Sequence, residues 1–116
     1  MVNENGRNFF REVVMKRIAA GEEAARRHRE WMATDPAGAL TWSDEAFEAV
    51  AKGEVAQAIL ERIEKPWQDL KTLVVKEALR RARVPRSTSP VADTLEVYKT
   101  AGWAEFANLM LEMEES

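Results

Sequence analysis

Apolar residues between Pro66 and Arg83 recur at the three- and four-residue spacing of an α-helix. They cover more than half of the helix circumference and leave one narrow polar stripe, which consists of Asp69, Thr72, Lys76, Arg80 and Arg83. A helix that is apolar over so much of its surface needs other elements packed around it. The pattern therefore predicts that residues 66–84 form the central helix of a bundle.

A second helical pattern runs from about Gly6 to Met32 and is amphipathic along its length. Gly21 and two nearby alanines leave a notch of small residues in its apolar half, where another helix can approach closely. Arg17 also falls in this apolar half. We expect its side chain either to extend to solvent or to pair with a carboxylate on another helix. The alternative is that this face forms part of an interface.

The middle of the chain contains two further boundaries. Trp42, Ser43 and Phe47 match a hydrophobic staple around a helix N-cap, which predicts that a helix starts at Ser43. The apolar residues then change phase at Gly53. This change favours two short helices, one on each side of Gly53, over one longer helix.

The last segment begins with Ser89 and Pro90, which match the N-cap and first residue of another helix. Within that helix, Gly102 either bends or breaks the chain. No segment has the alternation of apolar and polar residues that is typical of a strand. The pattern as a whole predicts an all-α fold, a compact bundle of five or six helices in a single domain over residues 1–116.

The composition is typical of a soluble globular domain, with 46% hydrophobic and 32% charged residues. The absence of cysteine excludes disulfides, thiolate zinc sites and cysteine nucleophiles. No apolar run approaches the ~20 residues needed to span a bilayer, and the first residues lack the apolar core of a secretion signal. We therefore expect a cytoplasmic protein with no membrane contact.

Charge is distributed in blocks of alternating sign, although the net charge is only −3. Residues 65–86 carry seven Lys or Arg against two Asp or Glu. The blocks on either side, residues 35–64 and 87–116, are both strongly acidic. This alternation favours the packing of acidic segments beside basic ones, and it leaves a local basic face on an acidic protein.

The sequence lacks the residue patterns of common catalytic, cofactor and metal sites. His28 is the single histidine and lies on the apolar face of the first helix, so we expect a packed histidine rather than a general base. Acidic clusters at 44–48, 61–64 and 112–115 are more typical of solvated faces than of cation sites. Phosphate-binding loops and nucleophile motifs are missing. We predict no enzymatic activity, no cofactor and no metal; an enzyme or ligand carrier that uses His28 and the acidic clusters is a third hypothesis.

The basic stripe, defined as Lys76, Arg80 and Arg83 and extended by Arg81 and Arg86, is the clearest functional signal in the sequence. Cations at helical spacing along one edge can follow a phosphate backbone. They can equally form a protein interface, or solubilise the helix and pair with acidic segments of the same chain. The sequence leaves these alternatives open.

Trp103, which follows Gly102, is predicted to be an exposed anchor for a partner, because tryptophan is common in interfaces and at core edges. Our main hypothesis is a small non-enzymatic binding or regulatory protein that acts through a helical surface on another macromolecule, by binding a protein partner or by self-association. The alternative is a nucleic-acid-contacting accessory subunit of a larger assembly, which uses Lys76, Arg80 and Arg83 to contact phosphates.

Overall fold

The computed structural model describes residues 2–36, 44–83 and 90–115, and over these residues the chain forms four α-helices and no strand. Helix α1 spans Glu4–Thr34, α2 spans Asp44–Leu60, α3 spans Trp67–Arg83 and α4 spans Pro90–Glu115. The prediction of an all-α fold is confirmed, whereas the prediction of five or six helices is wrong. The predicted staple depends on two residues, Trp42 and Ser43, that lie outside the described ranges.

Helices α1 and α2 form an antiparallel hairpin in which the two backbones touch at Gly21 and Gly53. A Cβ atom on Gly21 would lie 3.0 Å from the carbonyl oxygen of Ala49 and 3.2 Å from the Cα of Gly53. Any larger residue at either position would have to move a neighbouring backbone. The notch of small residues predicted around Gly21 is thus the point where α2 crosses α1.

Helix α2 continues through Gly53, so the predicted break at this residue is wrong. The phase change has another cause: α2 packs between α1 and α4 and buries residues on two sides. Gly53 contacts α1, whereas Lys52 and Val55 contact α4 beside Gly102. Helix α4 is likewise unbroken across Gly102. The lack of a side chain at this position allows the close contact with α2.

The core lies where the two hairpins, α1–α2 and α3–α4, meet. The fully buried ring of Phe10 contacts Trp67 of α3 and Phe106 of α4, with ring centroids 5.4 and 5.9 Å away and edge-to-face geometry in both pairs. Such pairs add about 0.5–1.5 kcal/mol beyond the burial of their surface. The buried cluster around them comprises Val14, Val55, Ala56, Ile59, Leu70, Val74, Trp103, Ala107 and Met110.

Helix α3 lies at the edge of the bundle, which corrects the prediction that it is the central helix. Its first half buries Trp67, Leu70 and Val74. In its second half, however, Leu79 is 53% exposed and Ala82 is also exposed. Within the chain α3 packs mainly on α4, so the broad apolar surface of α3 is only partly covered.

Ion pairs between the helices follow the charge blocks of the sequence. Lys71 of α3 lies 2.7 Å from Glu114 of α4, and Arg81 lies 2.7 Å from Glu96. The basic block is therefore packed beside the acidic last segment, as expected. None of the helices in the described ranges combines the length and hydropathy that a bilayer crossing requires.

Candidate functional site

Two of the basic residues predicted as a site are neutralised by the protein's own carboxylates. Arg80 and Arg81 each donate through Nε to Glu77, at 3.0 Å, and Arg81 also donates to Glu96 at 2.7 Å. The hydrogen bond from Arg80 lowers the pKa of Glu77 below its usual value, although burial acts in the opposite direction. These two arginines are therefore engaged within the fold, and Arg86 lies outside the described residues.

Lys76 and Arg83 remain available on the solvent side of α3. Both are exposed, and no acidic side chain of the described residues pairs with either of them. They are two helical turns apart, and Leu79 lies between them, three residues from one and four from the other. Leu79 belongs to a row that we call the α3 apolar stripe, which consists of Val75, Leu79 and Ala82.

Helix α4 carries a similar row on the side turned away from the core. Val97 and Leu111 are 39% and 42% exposed, and the residues between them at helical spacing are small or polar. We call this row the α4 apolar stripe; it consists of Val97, Ala101, Ala104, Asn108 and Leu111. The steps of four and three residues in both stripes are the spacing of a coiled-coil seam.

The two stripes lie on the same side of the α3–α4 hairpin, which we call the outer face. The hairpin is antiparallel, because Arg81 pairs with Glu96 near one end, and the Trp67 Nε1 donates to Glu114 at 3.0 Å near the other. Both helices bury their opposite sides against the rest of the bundle. The outer face is therefore two helices wide and unoccupied by the described part of the chain.

The α3 edge of the outer face carries three exposed charges at seven-residue spacing, Asp69, Lys76 and Arg83. On α4, Glu105 and Glu112 have the same spacing, but Glu105 is bound by two cations from the rest of the bundle. The cations of this face that have no acidic partner among the described residues are thus Lys76 and Arg83.

Trp103 is not the exposed anchor that the sequence predicts. It is 6% exposed and belongs to the core cluster. The physical reason is that α4 continues through Gly102, so Trp103 has the same helical phase as Phe106 and Met110 and points into the core. A break at Gly102 would have placed the indole on a loop.

A buried lysine, which the sequence analysis missed, joins the two hairpins. Lys52 of α2 is 5% exposed, and its Nζ donates to Glu48 at 2.6 Å and to Glu105 of α4 at 2.7 Å. Arg17 of α1 donates to the other oxygen of Glu105 at 3.2 Å. The pairing of Arg17 with another helix is therefore confirmed. The available signal for Lys52 was a lysine in an apolar phase of α2 with a glutamate four residues before it.

The charges in this cluster stabilise one another. Burial alone would lower the pKa of Lys52, but its hydrogen bonds to Glu105 and Glu48 outweigh that effect and raise it. The hydrogen bond from Lys52 in turn lowers the pKa of Glu48. Both groups are thus held in their charged forms, which suits a structural clamp rather than proton transfer.

A cleft of about 430 Å³ lies between the second half of α1 and the start of α2. His28 is buried in its wall, as expected for a packed histidine, with its ring 6.1 Å from that of Trp31. The Glu23 carboxylate, also in the wall, has a pKa lowered to about 2, chiefly by its hydrogen bond with Arg26. Much of the remaining wall is alanine. No cluster of His, Asp or Glu suited to a metal ion occurs among the described residues.

In comparisons with known proteins, no family model, no curated protein and no solved structure matches this chain. The proposed function therefore rests on the structure alone, and in particular on the outer face of the α3–α4 hairpin.

Proposed function

We propose that this chain is a small non-enzymatic binding protein that acts on a protein partner through the outer face of the α3–α4 hairpin. The observation that carries the proposal is the exposure of Leu79, 53%, between two cations without an acidic partner among the described residues. Covering a half-exposed leucine contributes about 1 kcal/mol to binding. Lys76 and Arg83 would then select a partner with an acidic border.

The alternative proposal is an accessory subunit that contacts nucleic acid through the basic stripe. Phosphate contacts need cations that are free to displace counterions. Arg80 and Arg81 are already bound to Glu77 and Glu96, which leaves Lys76 and Arg83 among the described cations of the stripe. The apolar residues beside them suit a protein surface better than a phosphate backbone.

Affinity capture from the native host tests the proposal, with Leu79→Asp as the variant. Met15→Asp is a matched control, because Met15 is a 49% exposed hydrophobic residue on α1, away from the outer face. We expect the parent and Met15→Asp to retain a protein partner after nuclease treatment and Leu79→Asp to lose it. Retention of the same partner by Leu79→Asp would contradict the proposal.

Direct titration with labelled DNA and RNA separates the two proposals. We expect no binding at either low or physiological salt. Binding that weakens when Lys76 and Arg83 are both replaced by Glu, with a loss of about 0.9 in the log–log salt slope per contact, would favour the alternative instead.

A further inference from the structure

We infer that the partner of the outer face is an amphipathic helix with acidic residues along one side, which packs along the seam between α3 and α4. The inference rests on the proposed function, because it uses the same surface. It concerns the second half of α3 and the part of α4 beside it, whose level is set by the ion pair between Arg81 and Glu96. We call this part the basic end of the outer face; it consists of residues 75–83 and 96–104.

The apolar residues of the outer face are concentrated at its basic end. Three residues from each helix lie along the seam there: Val75, Leu79, Ala82, Val97, Ala101 and Ala104. Further along the hairpin the corresponding positions include Thr72 on α3 and Asn108 on α4, which are polar and exposed. The apolar contact is therefore about two helical turns long, since seven residues of a helix span about 10 Å.

The shape of this apolar area favours a helix as the occupant. Leu79 is 53% exposed, whereas Ala101 and Ala104 of α4 are small and let another helix approach closely. The spacing of the α3 stripe matches anchor side chains at i, i+3 or i+4, and i+7 of a helix laid in the seam. An extended peptide would need an exposed strand edge, and the described chain has no strand. A proline-rich peptide would need an aromatic groove, and none of the six seam residues is aromatic.

Charge at the basic end selects an acidic partner. Residues 75–83 carry four cations against the single carboxylate of Glu77, although the chain has a net charge of −3. Of these cations, Lys76 and Arg83 have no acidic partner among the described residues. Asp69 lies outside the basic end, about 10 Å along α3 from Lys76, a distance at which salt screens exposed charges. Carboxylates of a partner would therefore meet uncompensated positive charge.

The acidic residues of the partner are expected on one side only. Glu96 and Glu105, the exposed carboxylates of α4 at or beside the basic end, already bind cations of the bundle. The free cations are thus confined to the α3 side. Lys76 and Arg83 are seven residues apart, so two carboxylates separated by two turns of the partner helix can reach both of them.

Selection from a displayed library of helical peptides tests the inference. Each peptide carries a row of leucines at three- and four-residue spacing and random residues elsewhere, and it is selected on the immobilised full chain. Counter-selection on Leu79→Asp leaves only the peptides that use the outer face. We expect these peptides to carry Asp or Glu seven residues apart on one side of the leucine row. Because the chain as a whole is acidic, non-specific attraction would enrich Lys and Arg instead.

A selected peptide then measures the contribution of the two cations. Replacing Lys76 and Arg83 together by Gln should weaken its binding by about threefold to tenfold and reduce the salt dependence. Replacing Lys16 and Arg29 together by Gln is the matched control, because it removes two exposed cations from α1 and should leave binding unchanged. Proline in the middle of the peptide should abolish binding, since it breaks the helix. Binding that tolerates proline, or that both double variants weaken equally, would contradict the inference.

The failure of the inference can be told apart from the failure of the proposed function. If the peptides that need Leu79 show no excess of Asp or Glu, the outer face is a binding site but its partner has other chemistry. If sedimentation shows a dimer of the parent that Leu79→Asp abolishes, the face belongs to a second copy and the inference is wrong. If no selected peptide needs Leu79, the inference is wrong, and the proposed function is also wrong when native capture does not depend on Leu79.

Discussion

Lys52 and Glu105 form an ion pair of 2.7 Å across the contact between α2 and α4, and the lysine side chain is 7% exposed. Since Glu105 also binds Arg17, this pair links α1, α2 and α4 at one point. An ion pair of this kind is a weak source of net stability, but removing one partner leaves an uncompensated charge in the interior. It therefore fixes the position of α4 on the α1–α2 hairpin more than it adds free energy.

The first prediction concerns this clamp. Lys52→Ala should lower the free energy of unfolding by about 2 kcal/mol, because it removes the buried stem of the side chain, leaves Glu48 without its cation and leaves Glu105 with Arg17 alone. Lys52→Met keeps the stem and should cost less, about 1 kcal/mol, because both carboxylates are partly exposed. Urea unfolding measures both values. A Lys52→Met variant as stable as the parent would contradict a role for the charge pair.

The second prediction concerns pH. The pKa of Glu48 is lowered by its hydrogen bond from Lys52, so its contribution to stability is present above the unfolded-state pKa and is lost as pH falls through the folded-state value. The pKa of Lys52 is raised, so its contribution is lost only as pH rises through a value above the usual one. The free energy of unfolding should thus change little near neutral pH and should decrease when the pH is lowered below about 4. The Glu48→Gln variant should show a shallower acid decline in thermal melts.

The third prediction concerns the helix crossing. Gly21→Ala should destabilise the protein by about 1–2 kcal/mol, although alanine is the better helix former, because the new methyl group meets the backbone of Ala49 and Gly53. Gly102→Ala is the control. Its Cβ would meet side-chain atoms of Lys52 and Val55, which can move, so its effect should be smaller. Chemical unfolding that ranks the two variants in the opposite order would argue against a backbone contact at Gly21.

The fourth prediction separates the core from the surface on the α3–α4 hairpin. Trp103→Ala should cost about 3–5 kcal/mol, because it empties part of the core. Leu79→Ala should change the free energy of unfolding by no more than about 0.5 kcal/mol in a dilute monomer. Thermal or urea unfolding at low concentration provides both values. A large loss in Leu79→Ala would mean that this residue supports the fold of the monomer itself.

The positions of α1 and α3 follow closely from periodicity, because each has a long run of apolar residues on one side. The extent of α2 does not follow from periodicity, because α2 buries Gly53 against α1 and Val55 against α4. A helix with two buried sides shows a change of phase that looks like two separate helices in the sequence. Gly102 left a similar ambiguity, because the sequence did not show whether α4 continues through it. A glycine required for close packing and a glycine that ends a helix look the same in a sequence.

Periodicity also does not show which apolar residues stay exposed on the outer face. Leu79 has the phase of a core residue, and the pattern cannot tell whether such a residue is covered by its own chain or left for another molecule. The sequence shows the cations of the basic stripe, and their role in binding stays a prediction. However, the engagement of Arg80 and Arg81 depends on Glu77 and on the distant Glu96, and only the folded chain brings Glu96 near.

Phe10 has a consequence for the order in which the chain folds. Contacts within α1–α2 and within α3–α4 join segments that are near in sequence, so each hairpin can form early. The contacts of the Phe10 ring with Trp67 and Phe106 join the first helix to both helices of the second hairpin. We therefore expect shortening Phe10 to accelerate unfolding more than it slows folding. An equal or larger effect on the folding rate would place the docking of the hairpins in the transition state.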